Sequence, residues 1–253
     1  AGIWFIFRLS AHHKHMEMLH NWKNSTDSIE KETNGQATNP RWLNFKSKLL
    51  TASNFGRVCR RLIDTLCANA VKSFVYPRII NAPAVIYGQE YEKLAREELS
   101  KLIGLNIKEC GLFIDPSNPF LGASPDGIIY EEGIIVIKSI ETVQVIRRIF
   151  EDPAVNRMNR NHYYYYQIQG QLHITGRKYC LFCIWTRQGL KYLKVEKDDN
   201  FWQNNMEPKL IQFYVHCMGP GTTVHRMTPW VARGLTLRNH CTVPIPVGIF
   251  PTY

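Results

Sequence analysis

The sequence predicts an α/β domain with a mixed central β-sheet flanked by helices. Three observations carry that prediction. The hydrophobic pattern changes period in the order helix, helix, three strands, helix, two strands, helix. A chain of 253 residues is long enough to bury a sizeable core. With 45% hydrophobic and 21% charged residues, its composition excludes a disordered chain, a coiled coil and a collagen-like repeat.

Residues 1–40 read as a peripheral N-terminal arm. His12, His13, His15 and His20 cluster ahead of a polar run from Asn21 to Asn39. No cysteine or carboxylate follows at ligand spacing, so a solvated arm is expected there rather than a metal site. Thr51-Ala-Ser-Asn-Phe-Gly56 opens a helix with Thr51 or Ser53 as N-cap. Val58, Leu62, Leu66 and Ala70 continue it toward Pro77. Tyr91, Leu94, Ala95, Leu99 and Leu102 form the stripe of a second helix, and Gly104 stops it. Residues 107–114 then read as a strand, and Pro116 and Pro119 bracket a turn. Gly127–Tyr130 and Ile134–Lys138 pair as a hairpin around Glu131-Glu132-Gly133. A long helix is expected over about 155–174, then strands at Tyr179–Thr186 and Lys191–Val195. A last helix spans Phe201–Met218, with Pro208 as a break or restart. Residues 219–253 lose all period and read as an irregular C-terminal tail.

Lys and Arg number 31 against 21 Asp and Glu, a net charge of +10. That charge calls for a polyanionic partner, nucleic acid before an anionic membrane surface. No window reaches the roughly 18 apolar residues that a bilayer span needs, so no membrane partner is expected. The apolar opening Ala1–Phe7 is short and has no basic leader, so no signal peptide is expected either. A start without Met fits a fragment or a processed form. Seven scattered cysteines, an odd number, read as reduced thiols of an intracellular protein; with a nucleic-acid partner, a nuclear or cytoplasmic location is expected.

Two motifs carry competing readings. Cys180 and Cys183 have zinc spacing, but three residues along a strand point to opposite faces, so buried thiols are expected. Tyr163–Tyr166 offers rings for base stacking, yet four consecutive aromatics point all round a helix, which favours the core. Arg147, Arg148, Arg157, Arg160 and His162 flank that run. They fit a DNA backbone track and an exposed loop equally well.

The chemistry sits at one spacing. Gly122-Ala-Ser-Pro-Asp-Gly127 puts Asp126 at a strand entrance, and the return strand is Ile134-Ile-Val-Ile-Lys138. Side chains alternate, so Val136 and Lys138 share one face and Ile135 and Ile137 the other. A carboxylate at a hairpin entrance with Lys on the return strand suits a metal nuclease. Carboxylate oxygens hold a hard divalent cation. The cation polarises a phosphoryl oxygen and activates water. The Lys places positive charge beside the developing phosphorane. Taken alone, Pro-Asp-Gly is also a common turn, and an Asp–Lys pair is also a solvated contact.

Further segments follow in a defined order: Leu50-Thr-Ala-Ser-Asn-Phe55, Tyr87-Gly-Gln-Glu-Tyr-Glu-Lys-Leu-Ala-Arg96, Phe120–Gly127 and Tyr166-Gln-Ile-Gln-Gly-Gln171. With them the chain, from about Trp42 to Met218, resembles the YqaJ-like viral recombinase domain. That is the phage lambda exonuclease branch of the PD-(D/E)XK nucleases. Gly111–Pro116 and Trp202–Lys209 look most like the signatures of eukaryotic, mobile-element-derived members. The resemblance implies a domain at 41–218 with a restriction-endonuclease-like core. It also implies hydrolysis of DNA from double-stranded ends with Mg²⁺ or Mn²⁺. The ring of the phage relative implies a homo-oligomer. Residue by residue it implies Glu92 as the helix carboxylate near the metal, and Asp126 and the backbone carbonyl of Ile137 as metal ligands. Lys138 becomes the catalytic lysine, and Gln167 positions water or substrate. Ser53 contacts a phosphate at the DNA end, and Lys46 receives the terminal 5′ phosphate in place of the usual Arg.

One departure matters. The family writes Glu-x-Lys-Cys-Pro where this chain has Val136-Ile-Lys138-Ser-Ile140. Val136 occupies the position of the second metal carboxylate and cannot ligate a cation. Glu131, Glu132 and Glu141 are the candidate substitutes. The expectation is therefore a metal-dependent DNA exonuclease of impaired activity. The alternative is a catalytically inactive DNA-binding module or a relic of a mobile-element nuclease.

Overall fold

The computed structural model describes residues 14–15, 17–62, 67–75, 83–140, 143–152 and 157–218. A small sheet joins β1 (Leu50–Thr51), β2 (Phe113–Ile114) and β3 (Leu121–Ala123) in the order β1-β3-β2, with β1 parallel and β2 antiparallel to β3. The larger sheet holds β4 (Gly127–Ile129) and β5 (Gly133–Ser139). After the short pair β6 (Phe150–Asp152) and β7 (Arg157–Met158), it continues with β8 (Tyr179–Thr186) and β9 (Gly189–Glu196). Its order is β4-β5-β8-β9, mixed as expected: β5 runs parallel to β8, and the outer pairs are antiparallel.

The Ile-rich β5 is buried from Gly133 to Ile137 because both its faces are covered. Alternation sorts those faces. Ile134 and Val136 join Cys180, Phe182, Ile168 and Leu172 in one apolar cluster. Ile135 and Ile137 join Leu181, Cys183, Ala95 and Leu99 in another. Thus the helix Tyr163–Thr175 covers the first face and the helix Pro83–Ile103 the second. Cys180 and Cys183 lie on opposite faces, as strand geometry requires. Burial pushes both thiols up, Cys183 to about 12. The six described cysteines are thiols, not disulfides. No helix among the described residues is long and apolar enough to cross a membrane.

Several elements depart from the sequence reading. The described part of 1–40 is no peripheral arm: Leu19 and Ile29 are buried in the main core cluster. The helix Thr26–Glu32 is polar because its polar groups have internal partners. Gly111 N–H donates to Glu30 Oε1 at 2.9 Å, and Leu112 N–H to Thr33 Oγ1 at 2.8 Å. Those bonds also pull 107–114 out of a continuous strand, leaving one bridge from Lys108 to Ile128 and the short β2. His15 meets the Tyr214 hydroxyl, while His12 and His13 lie outside the described residues.

The helix expected over 51–70 is divided into a 3₁₀ turn at Ala52–Asn54, a helix at Phe55–Cys59 and another at Ala68–Val75. Leu62, placed on its stripe, is 77% exposed. The next helix does end at Gly104, whose φ of 67° suits glycine. Of its stripe, Ala95 and Leu99 are buried while Leu94 and Leu102 face out. The long helix starts at Tyr163 rather than near 155. His162 caps it by accepting the Tyr164 N–H on Nδ1, and β7 occupies the preceding residues. Pro208 sits in the first turn of the helix Glu207–Phe213 and restarts the last helical segment there. The tail 219–253 lies outside the described residues.

Candidate active site

The hairpin sets the first group in place. Asp126 N–H donates to the Ile135 carbonyl at 3.0 Å, and Asp126 Oδ2 accepts the Ile137 N–H at 2.6 Å. Asp126 therefore brackets Val136 on the ladder. Extending the Gly127–Ile135 register by one step places the two residues opposite each other.

Glu92 comes from the helix Pro83–Ile103, one turn before Arg96. Arg96 ties that helix to the hairpin. Its Nη1 donates to the Asp126 carbonyl at 3.2 Å, and its Nη2 pairs with Glu109 at 3.1 Å. Burial, and next the Asp126 charge, push the Glu92 carboxyl up to about 7, against the pull of Arg96 and Lys138. Burial also raises Asp126, against Lys138, the Ile137 N–H and Arg96. The Asp126 charge thus acts on a desolvated Glu92 with incomplete compensation from Arg96 and Lys138.

Lys138 lies two residues beyond Val136, and its Nζ is 5.4 Å from the Tyr164 ring centroid. Its charge acts on Glu92, Asp126 and Lys46. Lys46 rests over the Trp42 ring at 4.1 Å, and Trp42 Nε1 donates to Ser124 Oγ at 2.8 Å. Burial first, then Lys138, lower the Lys46 ammonium from its ordinary value. The structure therefore brings Glu92, Asp126, Lys138 and Lys46 into one electrostatic group.

Gln167 is buried on the helix Tyr163–Thr175, three residues after Tyr164 and four before Gln171. Gln171 Nε2 donates to the Ser124 carbonyl at 3.1 Å, so the Gln167 face is turned toward the Asp126 end of the hairpin. Ser53 is exposed, with its hydroxyl 3.2 Å from Thr51 Oγ1. No bond or ion pair among the described residues joins Ser53 to the carboxylates.

Val136 is fully buried among apolar neighbours, and its side chain offers no oxygen. The hairpin glutamates do not replace it. Glu132 pairs with Lys178 at the far turn, four residues up the strand, about 13 Å away at the strand rise. Glu131 is exposed on the same turn, and Glu141 lies outside the described residues. Among the described residues no group of three or more His, Cys, Asp or Glu is placed to hold a metal. The two carboxylates do suit a hard cation that keeps several waters, as Mg²⁺ does.

Arg96 and Glu109 were not singled out in the sequence. Arg96 had a signal, lying four residues after Glu92 on one helix face. Glu109 had none, because its place depends on the bridge at Lys108. The segments Gly111–Pro116 and Trp202–Lys209 meet each other through polar and ring contacts. Buried Asp115 accepts the N–H groups of Ser117 and Asn118 and lies 3.3 Å from His173 Nε2. His173 stacks on Trp202 at 4.0 Å, and Asn118 donates to Glu207. They brace the fold.

Comparison with known proteins adds the lineage. Residues 41–178 match the family described as the YqaJ-like viral recombinase domain. The chain is 30% identical over 145 residues to the alkaline nuclease of human herpesvirus 6A (strain Uganda-1102), covering 53% of this chain and 28% of that protein. The chain thus spans under a third of that relative's length. An alkaline exonuclease from Laribacter hongkongensis superposes with a TM-score of 0.59 at 23% identity, covering 73% of this chain and 94% of its own. The shutoff and exonuclease protein of Kaposi's sarcoma-associated herpesvirus gives 0.53 at 11%, covering 81% and 74%. A SOX–DNA complex gives 0.51 at 12%, covering 82% and 72%. These structures share the fold.

Proposed function

The chain belongs to the YqaJ-like viral recombinase domain family, and on that premise we propose that it is a nuclease domain acting on double-stranded DNA ends. Its activity is weakened by Val136. The observation that carries this reading is Asp126, fixed by the Ile137 N–H, with Glu92 and Lys138 within reach of its charge and Lys138 on the return strand. A basic chain and a structural neighbour captured on DNA support the partner.

Asp126, Glu92 and the Ile137 carbonyl would hold a divalent cation, Mg²⁺ or Mn²⁺. That cation supplies Lewis-acid polarisation of the scissile phosphoryl oxygen. Lys138 places its ammonium where negative charge grows on the phosphoryl group. Gln167 orients the attacking water or the strand by hydrogen bonding. Lys46 and Ser53 receive the terminal 5′ phosphate and set which bond lies over the carboxylates. Loss of the carboxylate at 136 costs at least the 10–100-fold that disturbed metal surroundings cost. Titrating Mg²⁺ and Mn²⁺ against cleavage of 5′-phosphorylated linear duplex tests the reading. Metal-dependent release of nucleotides, lost in Asp126→Asn, supports it.

Full burial of Val136 in an apolar cluster favours a second reading, a DNA-binding module without turnover. Salt-dependent duplex binding with no cleavage at any metal concentration selects it.

A further inference from the structure

We infer that Arg60 and Tyr163 form a stacking platform for an unpaired nucleobase beside the candidate active site, with Ser53 and Arg57 leading the phosphate backbone to it. The inference rests on reading that site as a DNA site.

The tyrosine run is sorted by the fold. Tyr165 and Tyr166 are buried, at 7% and 8% exposure, and serve the core. Tyr164 lies toward Lys138. Tyr163, at the first turn of the helix, stays 46% exposed. It is held in place although it faces solvent. A Cβ at Gly56 would come within 2.8 Å of Tyr163 Cδ1 and 3.0 Å of its Cα, so glycine lets that backbone close on the ring. The exposed Arg60 lays its guanidinium 4.4 Å from the ring centroid. A planar guanidinium backed by an aromatic ring is a surface on which an unpaired base stacks.

The approach to it is basic. Ser53, Arg57 and Arg60 are all exposed and recur at i, i+4 and i+7 through the 52–59 turns, which places them along one face. Arg57 is fixed by a bond to Ser73 Oγ at 3.2 Å and by the Phe74 ring at 4.9 Å. No Asp or Glu occurs between Thr51 and Leu62 to neutralise that face. Tyr164, next along the helix, adjoins Lys138. A strand whose terminal phosphate meets Ser53 therefore has cations along its backbone and a flat surface for one base.

The test is binding, without turnover, in EDTA. Anisotropy is measured with a 5′-phosphorylated single-stranded oligonucleotide and with copies carrying one abasic position moved along it. One stacked base is worth roughly 5- to 150-fold in Kd. The natural chain should lose about tenfold at one abasic position. Tyr163→Leu and Arg60→Gln should each lose about tenfold on the intact strand and nothing more at that abasic position. Tyr163→Phe should bind like the natural chain. Equal abasic penalties in the natural chain and Tyr163→Leu, or no penalty anywhere, would overturn this inference alone. No binding even at low salt would overturn it together with the DNA reading of the site.

Discussion

Replacing Val136 with Glu probes the site from inside. The position is fully buried, and Asp126 is bonded to the strand on both sides of it. A carboxylate there would lie opposite Asp126 on the ladder and among the apolar side chains that bury Val136. Glu92 gives the scale, its carboxyl being raised from 4.5 to about 7. A similar rise at position 136 costs about 3 kcal/mol when the group is ionised. The folded-state value lies above the unfolded one. Stability is therefore kept below about pH 4.5 and lost as pH climbs through about 7. At roughly 2–4 °C per kcal/mol for a chain of this size, the metal-free Tm at pH 8 should fall by about 6–12 °C. Most of that fall should vanish at pH 5. A cation present at 100 times its Kd should return about 2.7 kcal/mol at pH 8. Differential scanning calorimetry in EDTA and in Mn²⁺ at both pH values reads all of this. An unchanged Tm at pH 8, with no larger Mn²⁺ response than the natural chain, would show that position 136 does not face the carboxylates.

Gly170→Ala should overpack the core, because the new Cβ would lie 2.3 Å from Cδ2 of the fully buried Phe55. A loss of about 1–3 kcal/mol is expected in denaturant unfolding. Among the described cysteines, Cys67 should be the first alkylated at pH 7, since the Cys217 thiol's hydrogen bond lowers it to about 6, while burial holds Cys59 and Cys110 at about 12. Peptide mass spectrometry after a short iodoacetamide pulse ranks them. Lys46→Arg should restore a forked phosphate contact and raise preference for 5′-phosphate over 5′-hydroxyl ends by about tenfold, measured as a ratio of duplex affinities.

The central sheet was legible because its code is local. Alternation along Ile134–Lys138 assigned faces that the two apolar clusters confirm. Gly104 stopped its helix for the backbone reason expected. The N-terminal segment was not legible: Glu30 and Thr33 look solvated in sequence and are bonded to Gly111 and Leu112 about 80 positions away. The 51–70 helix failed because Leu62, apolar and in register, faces solvent. At the site, spacing found Asp126 and Lys138, and the resemblance supplied Glu92, Lys46 and Gln167. Arg96, which joins helix to hairpin, needed the fold. The polar look of Glu131 and Glu132 misled, since strand length puts that turn far from Asp126.

The measurement that bears most directly on the account is degradation of 5′-phosphorylated linear duplex DNA in Mn²⁺ by the natural chain, Val136→Glu and Val136→Glu/Lys138→Met. A weakened nuclease site predicts cleavage by Val136→Glu at least about 10–100-fold faster than by the natural chain. It also predicts that Lys138→Met abolishes that cleavage. Cleavage by the natural chain that Val136→Glu does not raise, or that survives Lys138→Met, would contradict the site proposed for it.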